Sequence, residues 1–135
     1  MSETLTRPSS SARGVGRLLI GADRGSAVGL AEHRLRWGDL PALSGEALID
    51  VADDSGLLGR GGAGFPLGRK LRSVAARGRG AVVVANGAES EPASVKDKVL
   101  VSVAPHLVLD GIQLAARAVG ADQAYLVVHD GAAAA

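Results

Sequence analysis

Two short apolar runs separated by one long helical pattern constrain this chain more than any other feature. Ala81-Val-Val-Val-Ala85 is β-branched, bounded by Gly80 and by Asn86-Gly87, and reads as a buried strand. Pro105 opens a helix that runs through about Val119. Its apolar positions are Leu107, Ile112, Leu114, Ala115 and Val119, and Gly120 is its stop. Ala124 to Val128 is the next strand. Strand, helix, strand at this spacing predicts a βαβ unit, a right-handed crossover between parallel strands, and so an α/β fold class. A parallel sheet of so few strands leaves edges and faces uncovered. The expectation is therefore a piece of a larger fold, or a chain that needs a partner.

Upstream, Met1 to Gly16 is rich in Ser, Arg, Pro and Gly and reads as a flexible arm. Residues 17–54 form a helical segment. Within it, Arg17 to Gly21 is a short strand or packing segment, and Leu30 to Leu35 is a helical turn before the bend at Gly38 to Pro41. Leu43 to Asp54 reads as a helix with Ser44 as N-cap and Leu48, Val51 and Ala52 on one face. A further helix spans roughly Leu67 to Ala76. Leu67, Leu71, Val74 and Ala75 share a face, and Arg69, Lys70 and Arg72 occupy much of the rest. Residues 86–97 read as a polar connection.

Composition narrows the chemistry. Trp37, Phe65 and Tyr125 are the only aromatic side chains, so the core is aliphatic and base stacking on single-stranded nucleic acid is not expected. The chain has no cysteine, which excludes disulfides, thiolate catalysis and cysteine-ligated clusters within these residues. His33, His106 and His129 lie far apart in sequence and form no metal-ligand spacing. Packing roles are expected for His106 and Trp37, and a contact with Lys96 or the loop backbone for Asp97. The N-terminus lacks the apolar core of a signal peptide, and no apolar run reaches the length of a membrane span. The expected location is cytoplasmic, with no direct membrane insertion and at most peripheral attachment at the inner face of a membrane through partners.

Between Ser55 and Ala88 the sequence has no Asp or Glu, yet it holds Arg60, Arg69, Lys70, Arg72, Arg77 and Arg79. The stretch Gly59-Arg60-Gly61-Gly62-Ala63-Gly64-Phe65-Pro66 sits at its start. Such glycines let backbone N–H groups turn inward and approach an anion closely. The helix that begins near Leu67 adds its positive end, worth roughly 0.3–1 kcal/mol at an exposed site. Each hydrogen bond to a charged group adds on the order of 1.5–3 kcal/mol. No Gly-Lys-Ser/Thr follows, so this is not a Walker A loop. Taken alone, the glycines also suit a tight turn, and a solvated helix face remains the reading for Arg72, Arg77 and Arg79.

Several segments in order carry a more specific signal: Ser55 to Pro66, Gly68-Arg-Lys70, Asn86-Gly-Ala-Glu-Ser-Glu-Pro92, Lys96-Asp97 and Pro105-His-Leu107. From about Leu30 to Val128 the chain resembles the NADH- and FMN-binding subunit of respiratory complex I, the 51 kDa or F type, and its relatives among NAD-linked hydrogenases and formate dehydrogenases. The resemblance implies a Rossmann-like, partial flavin domain: residues 55–135 would be its N-terminal half, without its C-terminal half, the ubiquitin-like domain or the iron–sulfur domain. It implies that Gly59, Arg60, Gly61, Gly62 and Gly64 form the loop that holds the FMN phosphate and ribityl chain. Phe65 would stack on NADH, Lys70 would contact the cofactors, Asn86 would lie by the flavin ring, and Glu89 and Glu91 would contact flavin and NADH. It further implies an iron–sulfur or thioredoxin-like partner subunit, and in full-length relatives a [4Fe–4S] cluster, for which this chain has no cysteine ligands.

The chain departs from the family pattern at Ala88, where the family has Asp, and at Ala93, where it has Gly. Leu71 and Ser73 stand where aromatics are common, and His129-Asp130-Gly131 replaces a Gly-Glu pair. Two functions follow as expectations. One is an FMN-dependent module that takes hydride from NADH and passes electrons to an iron–sulfur centre or a quinone-linked chain. The other is a truncated, non-catalytic protein that retains a nucleotide or phosphate site.

Overall fold

The computed structural model describes residues 26–60, 63–88 and 93–129. The arm at 1–16 and the segment Arg17 to Gly21 lie outside the described residues. In chain order the elements are α1 (Leu30–Trp37), α2 (Gly45–Asp54), α3 (Leu67–Ala75), β1 (Val82–Gly87), α4 (Lys96–Val103), α5 (Pro105–Val119) and β2 (Gln123–Val128). The strands pair in parallel, with Val82 opposite Gln123 and Gly87 opposite Val128. The α/β class and the parallel unit expected from the sequence are present.

The ends of the helices follow local chemistry. Ser44 accepts a hydrogen bond from the Ala47 N–H at 3.2 Å and caps α2. Pro105 starts α5, where its missing N–H costs nothing. Gly120 ends it with φ 66°, a left-handed conformation that glycine adopts without steric cost. The α1 pattern, expected as a single turn, extends to a full helix ending at Trp37, stabilised in part by an Arg36–Glu32 pair four residues apart.

The crossover differs from the expected single helix. Lys96–Val103 is helical and precedes α5, so two helices connect the strands. They meet at Ala104 with a bend of 100°. Ala104 is buried, and the Val103 carbonyl accepts from the Val28 N–H at 2.9 Å, which ties the first described residues to this corner. No single helix among the described residues is long and apolar enough to cross a membrane.

The core lies where α2, α3 and α5 meet. Leu48, Ile49 and Ala118 are buried, with Leu71, Ala75 and Leu114 packed against them. Val51, expected on the buried face of α2, is 56% exposed, and Ile49 takes the inward place. The reason is that α2 faces both α3 and α5, which rotates its contact stripe toward Leu48 and Ile49.

Close backbone approach explains two glycines. A Cβ on Gly68 of α3 would lie 2.0 Å from Asp53 Oδ1 and 2.7 Å from the Asp53 backbone nitrogen. A Cβ on Gly45 of α2 would lie 2.8 Å from the Arg117 carbonyl of α5. Helix α2 is thus held against both neighbours at positions that admit no side chain.

The strand 81–85, expected to be buried, is covered on one side only. Residues along β1 alternate between exposed and half-buried, and Val82 and Val84 are 50% and 60% exposed. Their neighbours Tyr125 and Val127 on β2 are exposed as well. The other face packs on α5, with α4 against β1. In β1, Gly87 lets the strand end approach β2, because a Cβ there would meet the Val127 carbonyl at 3.1 Å.

Candidate functional site

The glycine loop leaves α2 through the Ser55-Gly56 turn and enters α3. Its two ends are held side by side. Leu58 and Pro66 form an antiparallel bridge, the Gly59 N–H donates to the Phe65 carbonyl at 2.9 Å, and the Leu67 N–H donates to the Leu57 carbonyl at 2.8 Å. These bonds explain a hairpin-like closure from a sequence with little β propensity. Gly64 has φ 60°, a value at which a side chain would be strained, so the return path needs glycine there. Gly61 and Gly62 lie outside the described residues.

Helix α3 begins immediately after the loop, with Pro66 at its N-cap and no side chain accepting from the first-turn N–H groups. Those donors, together with the macrodipole, favour an anion at that end. The first turn itself carries no acidic residue, and the Asp53 carboxylate of α2 packs against it at Gly68. Arg60 and Lys70 are exposed. Neither has a carboxylate partner among the described residues, and nor does Arg69.

Arg72 behaves differently. Its guanidinium bridges to Asp53 at 2.6 Å and Asp50 at 3.0 Å, joining α3 to α2. Two positions beyond Lys70 on α3, Arg72 is exposed, as a solvated helix face implies, and its charge is also matched by carboxylates that the sequence separates by about twenty positions. Hydrogen bonds to Asp53 and then Asp50 raise the Arg72 pKa above its already high ordinary value. A raised folded value contributes stability below the unfolded pKa, and that contribution is lost only in strong alkali. Across ordinary pH the Arg72 charge stays constant, so salt screening is what weakens its attraction to the two aspartates. Arg77 and Arg79 are exposed, as expected.

Phe65 is 52% exposed at the mouth of the loop. The Arg69 guanidinium lies over its ring, 5.8 Å from the centroid. In the sequence Arg69 belongs to a polar helix face and does not stand out. The signal that could have found it is the separation of four residues, which puts the two side chains on the same side of a helix start.

Asn86 stands near the C-terminal end of β1, where open α/β sheets bind ligands. Its side-chain carbonyl accepts from the Ala88 N–H at 3.0 Å, turning the chain sharply as it leaves the strand. Among the described residues no hydrogen bond or ion pair joins Asn86 to the loop or to Lys70. Glu89 and Glu91 lie outside the described residues. Among the expected binding residues that are described, the structure groups Gly59, Arg60, Gly64, Phe65 and Lys70 around the loop and the start of α3, and Asn86 stands apart at the strand end.

A second polar cluster joins α1 to α5. His33 is 3% exposed and its Nε2 lies 2.7 Å from Asp110 Oδ2. Its ring packs between Trp37 at 5.1 Å and His106 at 5.5 Å. His33 and His106 are distant in sequence, yet the fold brings their rings together, tilted by 44°. Among the described residues no group of three or more His, Asp or Glu could hold a metal. The packing roles expected of His106 and Trp37 hold. Asp97 pairs with Lys96 at 2.9 Å.

A parallel α/β unit with a glycine-rich loop ahead of a basic helix is a frame that nucleotide-binding domains share. The family model of the Nuo51 FMN-binding domain matches residues 52–135, and the chain belongs to that family. The F subunit of NADH-quinone oxidoreductase from Aquifex aeolicus (strain VF5) is 40% identical over 87 residues, covering 64% of this chain and 20% of that protein. The corresponding F subunit from Rhodobacter capsulatus is 37% identical over 104 residues, covering 73% of this chain and 24% of its own length. Among solved structures, the NAD+-reducing [NiFe]-hydrogenase in its H2-reduced state superposes with a TM-score of 0.59 at 34% identity, over 74% of this chain and 19% of that one. The chain thus spans about a fifth to a quarter of the relatives it matches.

Proposed function

We propose that this chain binds FMN through the Gly59–Gly64 loop and serves as the flavin end of an NADH-oxidising module. The observation that carries the reading is the closed loop running into α3, with Arg60 and Lys70 exposed and no acidic residue in the helix's first turn. What supports a phosphate among the described residues is the start of α3, where no side chain caps the helix, and two exposed cations, Arg60 and Lys70. Gly59, Arg60, Gly61, Gly62 and Gly64 would hold the phosphate and ribityl chain, with Lys70 beside them. Phe65 offers an exposed ring to NADH, while Asn86, Glu89 and Glu91 would orient polar groups of the flavin and the nucleotide.

Bound FMN supplies the two-electron acceptor for hydride from NADH. The residues of this chain supply position and electrostatics, since hydride transfer between stacked rings needs no acid–base pair. Electrons would leave to an iron–sulfur centre in a further segment or partner subunit, consistent with relatives named as subunits of NADH-quinone oxidoreductase. The location that suits such a module is the cytoplasm. In a second reading the chain keeps the phosphate site without turnover, and the observation favouring it is that Ala88 supplies no carboxylate beside Asn86.

Flavin fluorescence titration tests the binding step. FMN is expected to bind and riboflavin, which lacks the phosphate, to bind at least about tenfold more weakly, from one lost charge-assisted contact. Arg60→Ala is expected to weaken FMN about tenfold on the same ground. Equal affinity for riboflavin and FMN would remove the loop from the proposal. Ferricyanide reduction by NADH in the FMN-loaded chain then separates the oxidising module from the non-catalytic reading.

A further inference from the structure

We propose that Arg69 is a positioning residue for the nucleotide: it holds the Phe65 ring by one face and so presents the other face to NADH. The assignment rests on the reading of Phe65 as a stacking surface for NADH and deepens it by naming what orients that surface.

Three observations carry it. The Arg69 guanidinium lies over the Phe65 ring, 5.8 Å from its centroid. A cation at this distance is drawn to the electron-rich face of the ring. Phe65 is 52% exposed, which leaves ring surface for a planar ligand. The main chain of Phe65 is already fixed, because its carbonyl accepts from the Gly59 N–H at 2.9 Å and Pro66 follows it with φ −60°. What those constraints leave free is the side chain, which at a half-exposed site samples its rotamers unless a neighbour holds it.

The helix puts Arg69 where it can do this. Arg69 lies in the first turn of α3, four positions after Phe65. Helical side chains lean back toward the N-terminus, so that of Arg69 reaches the residue leading into the helix. The macrodipole does not favour a cation in that turn, and the ring supplies the attraction that the helix does not. Arg72, three positions on, turns instead to Asp50 and Asp53 of α2. A guanidinium is planar and weakly hydrated, so it can lie on an aromatic face. With one face of Phe65 so occupied, a planar ligand stacks on the other. The ordering of the ring is then complete before the nucleotide arrives, which raises affinity without any contact between Arg69 and the ligand.

The test uses the flavin-free full chain, titrated with NADH by its fluorescence, with FMN affinity measured in parallel. Arg69→Gln removes the charge at an exposed site and should leave the thermal unfolding midpoint unchanged. It is expected to weaken NADH about threefold, as for the loss of an exposed cation–π contact, and to leave FMN affinity unchanged. Arg69→Lys keeps a cation and should recover part of the loss. The decisive arm is a double-mutant cycle with Phe65→Leu. Phe65→Leu alone should weaken NADH by more than Arg69→Gln does, and in that background Arg69→Gln should cause no further loss. The same loss from Arg69→Gln in both backgrounds would mean that Arg69 acts on the nucleotide independently of the ring. Equal losses for NADH and FMN would mean a general effect of charge. Either result, or no loss at all from Arg69→Gln, would overturn the assignment while leaving the nucleotide site in place. If Phe65→Leu leaves NADH affinity intact, or the unmodified chain binds no NADH, the stacking role of Phe65 fails, and the assignment with it.

Discussion

Gly68→Ala should lower the thermal unfolding midpoint of this chain more than any substitution in the glycine loop. The added methyl would fall 2.0 Å from Asp53 Oδ1, 2.4 Å from its Cγ and 2.7 Å from its backbone nitrogen. The carboxylate can rotate away, at the expense of its pairing with Arg72. The backbone nitrogen belongs to α2 and moves only if the helices separate. Overpacking of this kind costs typically 1–3 kcal/mol and sometimes more. A loss of about 3 kcal/mol corresponds to a fall on the order of 10–20 °C for a domain of this size. Circular dichroism melts of the two proteins provide the measurement. Adding Asp53→Ala should restore only a part of the loss, because the clash with the main chain remains. A melt unchanged by Gly68→Ala would mean that α2 and α3 do not meet as described.

His33→Ala should produce the next largest loss. The imidazole is buried against Trp37 and His106 and bonded to Asp110. Its removal leaves the Asp110 carboxylate without that partner and opens a space between α1 and α5. Hydrogen bonds to charged groups contribute about 1.5–3 kcal/mol, and the loss of ring packing adds to this. Urea unfolding should show a decrease of roughly 2–4 kcal/mol, well above the ~0.5 kcal/mol of an ordinary surface change. His33→Gln, which retains a donor, should recover part of it. A loss within the surface range would show that α1 is held by its apolar contacts alone.

Much of this fold was legible where local chemistry and burial agree. Ser44, Pro105 and Gly120 mark helix ends by capping and backbone preference, and the structure places them at those ends. The two strands stood out because β-branched residues cluster between turn signals. Helix α4 was not legible. Lys96–Val103 carries three valines and no capping side chain, so intrinsic preference is weak. Its conformation is set by packing against α5 and β1 and by the corner at Ala104. Ile49 was missed for a related reason: α2 has two neighbours, and a single stripe drawn from periodicity cannot anticipate both.

The candidate site was legible as a motif and less so as a geometry. The glycines, Arg60 and Phe65 announced an anion loop, and the structure shows Gly59 and Phe65 hydrogen-bonded at the base of that segment, just ahead of α3. Which cations remain available could not be read from the chain, because Arg69, Lys70 and Arg72 look alike in one dimension. The aspartates that take Arg72 out of the set lie on another helix. Likewise, the pairing of His33 with Asp110 spans 77 positions.

The paired hydrogen bonds at the base of the glycine loop bear on kinetics as well as on affinity. Gly59 to Phe65 and Leu67 to Leu57 bring the loop's ends together when the chain folds. The entropic cost of closing that segment is therefore already met before any anion arrives. Capture should then be limited by encounter, so the association rate should rise in proportion to ligand concentration without a plateau and fall as salt screens Arg60 and Lys70.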